Sequence, residues 1–151
     1  MKLPRKAALA ATVVSAATAV VTFTATPALA VSGLLVPTIG LGNNGPHHVT
    51  AHCTPGAGVA LGLNQITYVV EATASSFSTN GSLAIGTSLT CYAYNIHTYR
   101  IYASISGGLP GDAAAAVGTM TVPTSADVAL CIKATALFND NANARFDDCP
   151  F

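Results

Sequence analysis

The groups in this sequence able to do chemistry are four cysteines, four histidines, six carboxylates and a scatter of hydroxyls, with no tryptophan. Cys53, Cys91, Cys131 and Cys149 follow one another at intervals of 38, 40 and 18 residues. Zinc and thiol-redox sites draw on Cys-x-x-Cys pairs, which bring two sulfurs to one centre, and these intervals provide none. An even count in a small domain reads instead as two disulfides and an oxidising, extracellular setting. His47, His48 and His52 suggest a metal site. On a strand rising about 3.3 Å per residue, however, His48 and His52 stand about 13 Å apart, too far for one ion held at about 2 Å by each ligand. Only His97 lies elsewhere to help, so the histidines are expected to be solvated. Asn139, Asp140, Asn141 and Asn143 resemble the start of a calcium loop. Such a loop needs Gly at its sixth position and a carboxylate at its twelfth, where this chain has Ala144 and Pro150. These residues read as turn formers. No Gly-x-Ser-x-Gly elbow, His-Glu-x-x-His helix or phosphate loop occurs. No catalytic residue, cofactor or metal is therefore expected.

Tyrosine and arginine are enriched in binding hot spots, and here they fall in one region. The register expected for residues 66 to 105 puts Val69, Tyr92 and Arg100 in one outward row. Tyr94, Tyr102 and Glu71 flank that row. Val69, Tyr92, Tyr94, Arg100 and Tyr102 are the candidate partner-binding residues, with Arg100 expected over the Tyr92 ring.

Positioning them requires strands. Residues 127 to 149 fold about Asp140 as a hairpin that sets Cys131 opposite Cys149, Lys133 opposite Asp147 and Ala134 opposite Phe146. One register thus meets covalent, charge and core demands. Asn80-Gly81 is a two-residue hairpin signal. Folding there pairs Val70 with Cys91, Ala72 with Leu89 and Tyr68 with Ala93. A second turn around Ile96 pairs Ala93 with Tyr99, Cys91 with Ile101 and Leu89 with Ala103. Both turns place one apolar set on one face.

Elsewhere the signals are shorter. Residues 31 to 46 are rich in Gly and Pro and allow a short edge strand near Leu34 to Ile39. His47 to Cys53 alternates Val49, Ala51 and Cys53 inward. Pro55 to Gly62 reads as loop, and Ser-Gly-Gly-Leu-Pro-Gly at 106 to 111 as turn. Ala113 to Ala116 suggests a helical turn before a strand at Val117 to Val122. Four cysteines allow three connectivities. Cys131 and Cys149 oppose each other on an outer face, while Cys53 and Cys91 are in phase with inner residues, so the expected bridges are Cys131 with Cys149 and Cys53 with Cys91.

Residues 1 to 30 carry Lys2, Arg5 and Lys6, then an uncharged Ala/Val/Thr run, then Ala28-Leu29-Ala30. This is the pattern of a secretory signal peptide cleaved before Val31. Residues 31 to 151 then form one domain with Arg100, Lys133 and Arg145 against six carboxylates, a formal charge of −3. That balance leaves no electrostatic footprint for nucleic acid or an anionic membrane. Seven to eight short strands, no amphipathic helix and regular turns indicate an all-β fold. The expected form is an antiparallel immunoglobulin-like β-sandwich with two disulfides, with a closed small barrel as the other possibility.

The signal ending Ala-Leu-Ala, Thr-Cys-Tyr at 90 to 92, Ser-Gly-Gly-Leu-Pro-Gly, Val-Pro at 122 to 123 and Leu-Cys-Ile-Lys-Ala-Thr-Ala-Leu-Phe resemble small uncharacterised secreted proteins of actinobacteria, mainly over residues 90 to 149. The resemblance implies export and a β-sandwich and carries no catalytic motif. Size and two disulfides are also similar to the apoproteins that carry enediyne antibiotics, but their bridges close short loops and these do not. The sequence thus leads to a secreted, extracellular, non-catalytic binding or structural module whose partner is a protein or an extracellular polysaccharide. The alternatives are a protease inhibitor acting through residues 106 to 112 and a small secreted hydrolase.

Overall fold

A computed structural model describes residues 35–151; the expected signal peptide lies outside the described residues. Eight strands occur in this span: β1 (Thr38–Asn44), β2 (His47–Leu61), β3 (Gln65–Ser78), β4 (Ala84–Asn95), β5 (Ile101–Leu109), β6 (Ala113–Pro123), β7 (Val128–Phe138) and β8 (Asn143–Asp147). They form two antiparallel four-stranded sheets, ordered β1-β2-β3-β6 and β5-β4-β7-β8. Alternation decides what each strand buries. Val49, Ala51 and Cys53 of β2, Tyr68, Val70 and Ala72 of β3, and Leu89, Cys91 and Ala93 of β4 all point into the core, as do Ile132, Ala134, Ala136 and Phe138 of β7. Tyr68 is the largest of the fully buried side chains; burial pushes its phenol up, and a backbone hydrogen bond with Leu35 partly offsets this.

Both disulfides form as the register implied. Cys53–Cys91 joins β2 to β4 through the core, with a Cα separation of 6.2 Å, and Cys131–Cys149 ties β7 to the segment after β8 at 5.1 Å. The last hairpin holds the expected register, with Lys133 opposite Asp147 and Ala134 opposite Phe146. Its turn is built by Asp140 Oδ1 accepting the Ala142 N–H and by Asn141 at φ 67°.

The hairpin expected at Asn80-Gly81 does not form. Five residues, Thr79 to Leu83, separate the two strands, and they carry the chain from one sheet to the other. Val70 and Cys91, Ala72 and Leu89, and Tyr68 and Ala93 therefore share the core from opposite sheets. Period-2 alternation says which residues point inward; it does not say whether the facing strand lies beside or across. The β4–β5 pair does form, but Ala93 meets Ala103, Cys91 meets Ile105 and Leu89 meets Gly107. This is a slip of four residues from expectation. Because the slip is even, it leaves β4's inward set unchanged. The connection is lengthened by Asn95, whose Oδ1 accepts the His97 and Thr98 N–H groups, and by Tyr99 at φ 59°.

Three stretches expected to be irregular are strand. Pro55 to Leu61 continues β2 past a bulge, Ser106 to Leu109 belongs to β5, and Ala113 to Ala116 opens β6 in place of a helical turn. The early strand begins at Thr38 and runs through the glycines to Asn44, later than the expected Leu34 to Ile39. Those glycines serve close approach. A side chain at Gly42 would strike the Arg145 backbone of β8, one at Gly40 the Phe146 ring, one at Gly107 the Ala115 backbone of β6, and one at Gly118 Ile105. The two sheets thus meet along both sides, β1 against β8 and β5 against β6. Thr38 Oγ1 donating to Asp148 Oδ2 (2.7 Å) and Asn44 Nδ2 donating to the Asn143 carbonyl (2.7 Å) fasten the first seam. Such covered edges do not template further strands.

Gly42→Ala and Gly107→Ala are each expected to cost about 1 to 3 kcal/mol by overpacking, or roughly 5 to 15 °C in Tm. Gly86→Ala, whose Cβ would meet nothing within 4 Å, should leave Tm near that of wild type. Equal Tm values for all three would contradict the seams. Non-reducing peptide mapping should return Cys53 linked to Cys91 and Cys131 linked to Cys149, each bridge worth about 3 to 4 kcal/mol in the loop-entropy account. A peptide joining Cys91 to Cys131 would overturn the sheet registers.

Candidate functional site

The outer face of the β5-β4-β7-β8 sheet combines aromatic, hydroxyl and charged side chains. Directly paired residues share a face, so the ladders give its rows. Ile101, Tyr94 and Ala129 form one row, and Ser104, Tyr92 and Cys131 the next. Then come Ser106, Thr90, Lys133 and Asp147, followed by Gly108, Ser88, Thr135 and Arg145, with Gly86, Leu137 and Asn143 beyond.

At the first end, Phe151 lies edge-on to both tyrosines, with centroids 5.4 Å from Tyr92 and 5.6 Å from Tyr94. Edge-to-face pairs of this kind are favourable because the positive ring edge meets the negative ring face. The Cys131–Cys149 bridge anchors the chain two residues before Phe151. Lys133 Nζ donates to the Phe151 backbone oxygen at 2.8 Å, lies 5.2 Å from the ring centroid and reaches Asp147 Oδ2 at 3.4 Å. Arg145 Nη2 meets the same carboxylate oxygen at 3.1 Å. Burial by itself would raise Asp147, but the Cys149 N–H, Arg145 and Lys133 outweigh it and hold the carboxyl below its ordinary range.

The middle of the face is low and polar. Thr90 and Ser106 hydroxyls pair at 2.9 Å, and Ser88 and Thr135 at 2.8 Å. Beyond them an open, shallow channel of about 600 Å³ is lined by Gly86, Ser88, Gly108, Thr135 and Leu137, together with Asn143 and Arg145.

Of the expected partner-binding residues, the structure brings only Tyr92 and Tyr94 together on this face. Val69 belongs to β3 in the opposite sheet, as does Glu71. Tyr102 is the extra residue of a bulge where Tyr94 pairs with Ile101. It packs against the core, its hydroxyl accepts from Asn95 Nδ2 at 3.2 Å, and Arg100 lies 5.7 Å from its ring rather than over Tyr92. Phe151, Lys133, Ser88, Thr90 and Thr135 were not anticipated as members. Their place depends on β4 pairing with β7, a contact between distant segments that no local pattern announces.

Other candidate groups resolve differently. His48 stacks on Phe77 and bonds Asn43, and His52 bonds Thr73. His97 pairs with Asp127 at 2.9 Å. His47, expected to be solvated, is buried against Phe138. Its Nδ1 lies 3.2 Å from the Asn44 carbonyl and its Nε2 2.8 Å from Asp140 Oδ2, so both nitrogens meet acceptors. Ser82 Oγ donates to that same Asp140 oxygen at 2.7 Å. Ser, His and Asp thus meet in the wrong order for nucleophilic chemistry, since the hydroxyl is bonded to the carboxylate instead of the imidazole. Cys131, Cys149 and Asp148 come together with ligand-like closeness, but the sulfurs are bonded to each other. The carboxylate is also occupied, accepting from the Ile132 N–H and Thr38. The turn left from residues 106 to 112 is only Pro110 to Asp112. It is pinned by Gly111 N–H to Ile85, Ser76 N–H to Asp112 and Thr87 Oγ1 to Gly111 bonds.

Comparison with protein-family models, with curated proteins and with solved structures finds no match. The chemistry of the face therefore carries the functional reading.

The Ser82 hydrogen bond, with those from the Ala142 N–H and His47, outweighs the opposing effect of burial and holds the Asp140 carboxyl well below its ordinary range. A carboxyl lowered in the folded state stabilises above its unfolded pKa of about 4, and that stabilisation is lost as pH falls toward the folded value. Wild-type Tm should therefore drop on acidification below about pH 4. Asp140→Asn should start lower at neutral pH and fall less, with the remainder due in part to Asp147. Parallel Tm profiles for the two proteins would refute the role given to Asp140.

Proposed function

We propose that this chain is an exported, non-catalytic β-sandwich that binds an extracellular partner through the outer face of the β5-β4-β7-β8 sheet. The observation that carries this reading is the Tyr92, Tyr94 and Phe151 cluster, held on a solvent-facing sheet surface by a disulfide and a lysine. Rings fixed in advance lose little freedom on binding, which is why aromatic side chains dominate hot spots. Export is supported by the pairing of all four cysteines and by the leader-like residues 1 to 30.

Strand order supports an immunoglobulin-like assignment for the sandwich. β3 pairs β6 while β4 pairs β7, the crossed arrangement by which strands B and E, and C and F, interlock in immunoglobulin domains. β2 beside β3 and β8 beside β7 then match strands A and G. β5 beside β4 corresponds to the additional strand of the variable type, and β1 is an extra edge.

Retention of the purified protein on envelope and culture-matrix material is the test. Tyr92→Ala is expected to weaken it by about 2 kcal/mol, a loss of about thirtyfold. Arg100→Ala, off the face, should bind like wild type. Circular dichroism should report an intact fold for both. Equal retention of Tyr92→Ala and wild type would overturn the surface assignment.

A further inference from the structure

We propose that this face takes an extended acidic glycan, laid across the hydroxyl floor from the Tyr92 end to the channel over Gly86. The proposal rests on the reading of the face as a binding surface and names the class of its ligand.

The floor is the first reason. A serine or threonine hydroxyl has one proton and two lone pairs. When Thr90 pairs with Ser106, and Ser88 with Thr135, each pair uses one proton and one lone pair internally. One proton and three lone pairs per pair remain for a ligand that both donates and accepts. Polyhydroxylated chains do both. A protein partner, by contrast, would place its buried apolar anchor at the centre of the interface, and the centre here is Ser104, Ser106, Thr90, Ser88 and Thr135.

Length and relief point the same way. Tyr92 to Gly86 is six steps along β4, roughly 20 Å at about 3.3 Å each, which suits a chain of sugars rather than a single ring. The channel at the far end is bordered by Leu137, which is 45% exposed, shares the outward row of Gly86 and offers an apolar side for the C–H face of a sugar. At the near end Tyr92, Tyr94 and Phe151 offer ring edges and faces.

Charge selects within the class. Residues 31 to 151 carry a formal −3, yet two of their three cations, Lys133 and Arg145, lie in adjacent rows of this face and share the single carboxylate Asp147. Lys133 is also taken up by the Phe151 main-chain oxygen, which leaves Arg145 as the cation of this face with donors to spare. Arg145 is 64% exposed, has one terminal nitrogen on Asp147, and has a planar fork suited to a second carboxylate.

Gly86 gives the sharpest test. Its φ lies outside the left-handed region and its Cβ position faces open space, so a larger side chain fills the channel without disturbing the fold. Affinity electrophoresis would compare gels containing polygalacturonate, dextran or polyglutamate. Wild type should be retarded by polygalacturonate and by neither of the others. Gly86→Leu and Arg145→Gln should each weaken that retardation by about tenfold at unchanged Tm. Equal retardation by dextran or polyglutamate, no retardation by polygalacturonate, or a Gly86→Leu variant that behaves as wild type would each overturn the proposal. If Tyr92→Ala still abolished envelope retention in those cases, the glycan inference would fall and the binding face would stand. If Tyr92→Ala were harmless, the face itself would fall.

Discussion

Close approach of the two sheets along both of their sides is the constraint on which this structure depends. Where β1 runs against β8 and β5 against β6, backbone, the Phe146 ring or the Ile105 side chain occupies the space a side chain would need, and the chain places glycine at 40, 42, 107 and 118. Alanine at 51, 72, 74, 93, 114, 134, 136 and 144 makes the core shallow in the same sense. Thin layers can meet at their rims; thick ones cannot. The Cys53–Cys91 bridge then spans the interior directly from β2 to β4, which leaves the outer surfaces to carry other chemistry.

The proposed binding face follows from that arrangement. With its inner surface committed to the core by Leu89, Cys91, Ala93, Ile132, Ala134 and Phe138, the β5-β4-β7-β8 sheet presents every second residue outward. Cross-strand neighbours on that side fall into aromatic, hydroxyl and channel rows. The Cys131–Cys149 bridge lies on this outward side and holds Phe151 beside Tyr92 and Tyr94, so a covalent bond sets the position of a ring that no ladder reaches.

What the sequence made legible was phase. Val49, Ala51, Cys53, Tyr68, Val70, Ala72, Leu89, Cys91 and Ala93 were all assigned inward, and all are buried. Tyr99 and Ile101, assigned to the same face, are exposed, because Tyr99 falls in the turn and the bulge at Tyr102 sets Ile101 beside outward Tyr94. The final hairpin was legible to the residue because cysteine, ion pair and core demanded one register. Adjacency was not legible. Asn80-Gly81 marks a turn, but whether the chain returns beside itself or crosses to the other layer depends on partners for β3 that lie at β2 and β6. The glycines misled for a related reason: Gly42 was read as ending an edge strand and Gly107 as part of a turn, whereas both lie in strands and are small because distant backbone lies against them. The site suffered both errors. Tyr92 and Tyr94 needed only phase and were placed correctly. Val69 needed the layer and Tyr102 needed the bulge, so both were misplaced, and Phe151 needed Tyr92 and Tyr94, neighbours far back along the chain on β4.

The crossed pairing also governs the order in which the molecule can be assembled. Sheet β1-β2-β3-β6 has three of its strands within the first half of the described chain but lacks its last until residue 113, and β4 has only β5 beside it until residue 128. The β1-β2-β3-β6 layer is finished only by a strand that ends at Pro123, with β4 and β5 of the other layer intervening. The ordering entropy of most of the polypeptide is met before the long-range contacts that offset it are available, a topology that folds late and as a whole. The Cys131–Cys149 bridge can close only once the last hairpin has arrived, whereas both sulfurs of Cys53–Cys91 are present as soon as β4 is.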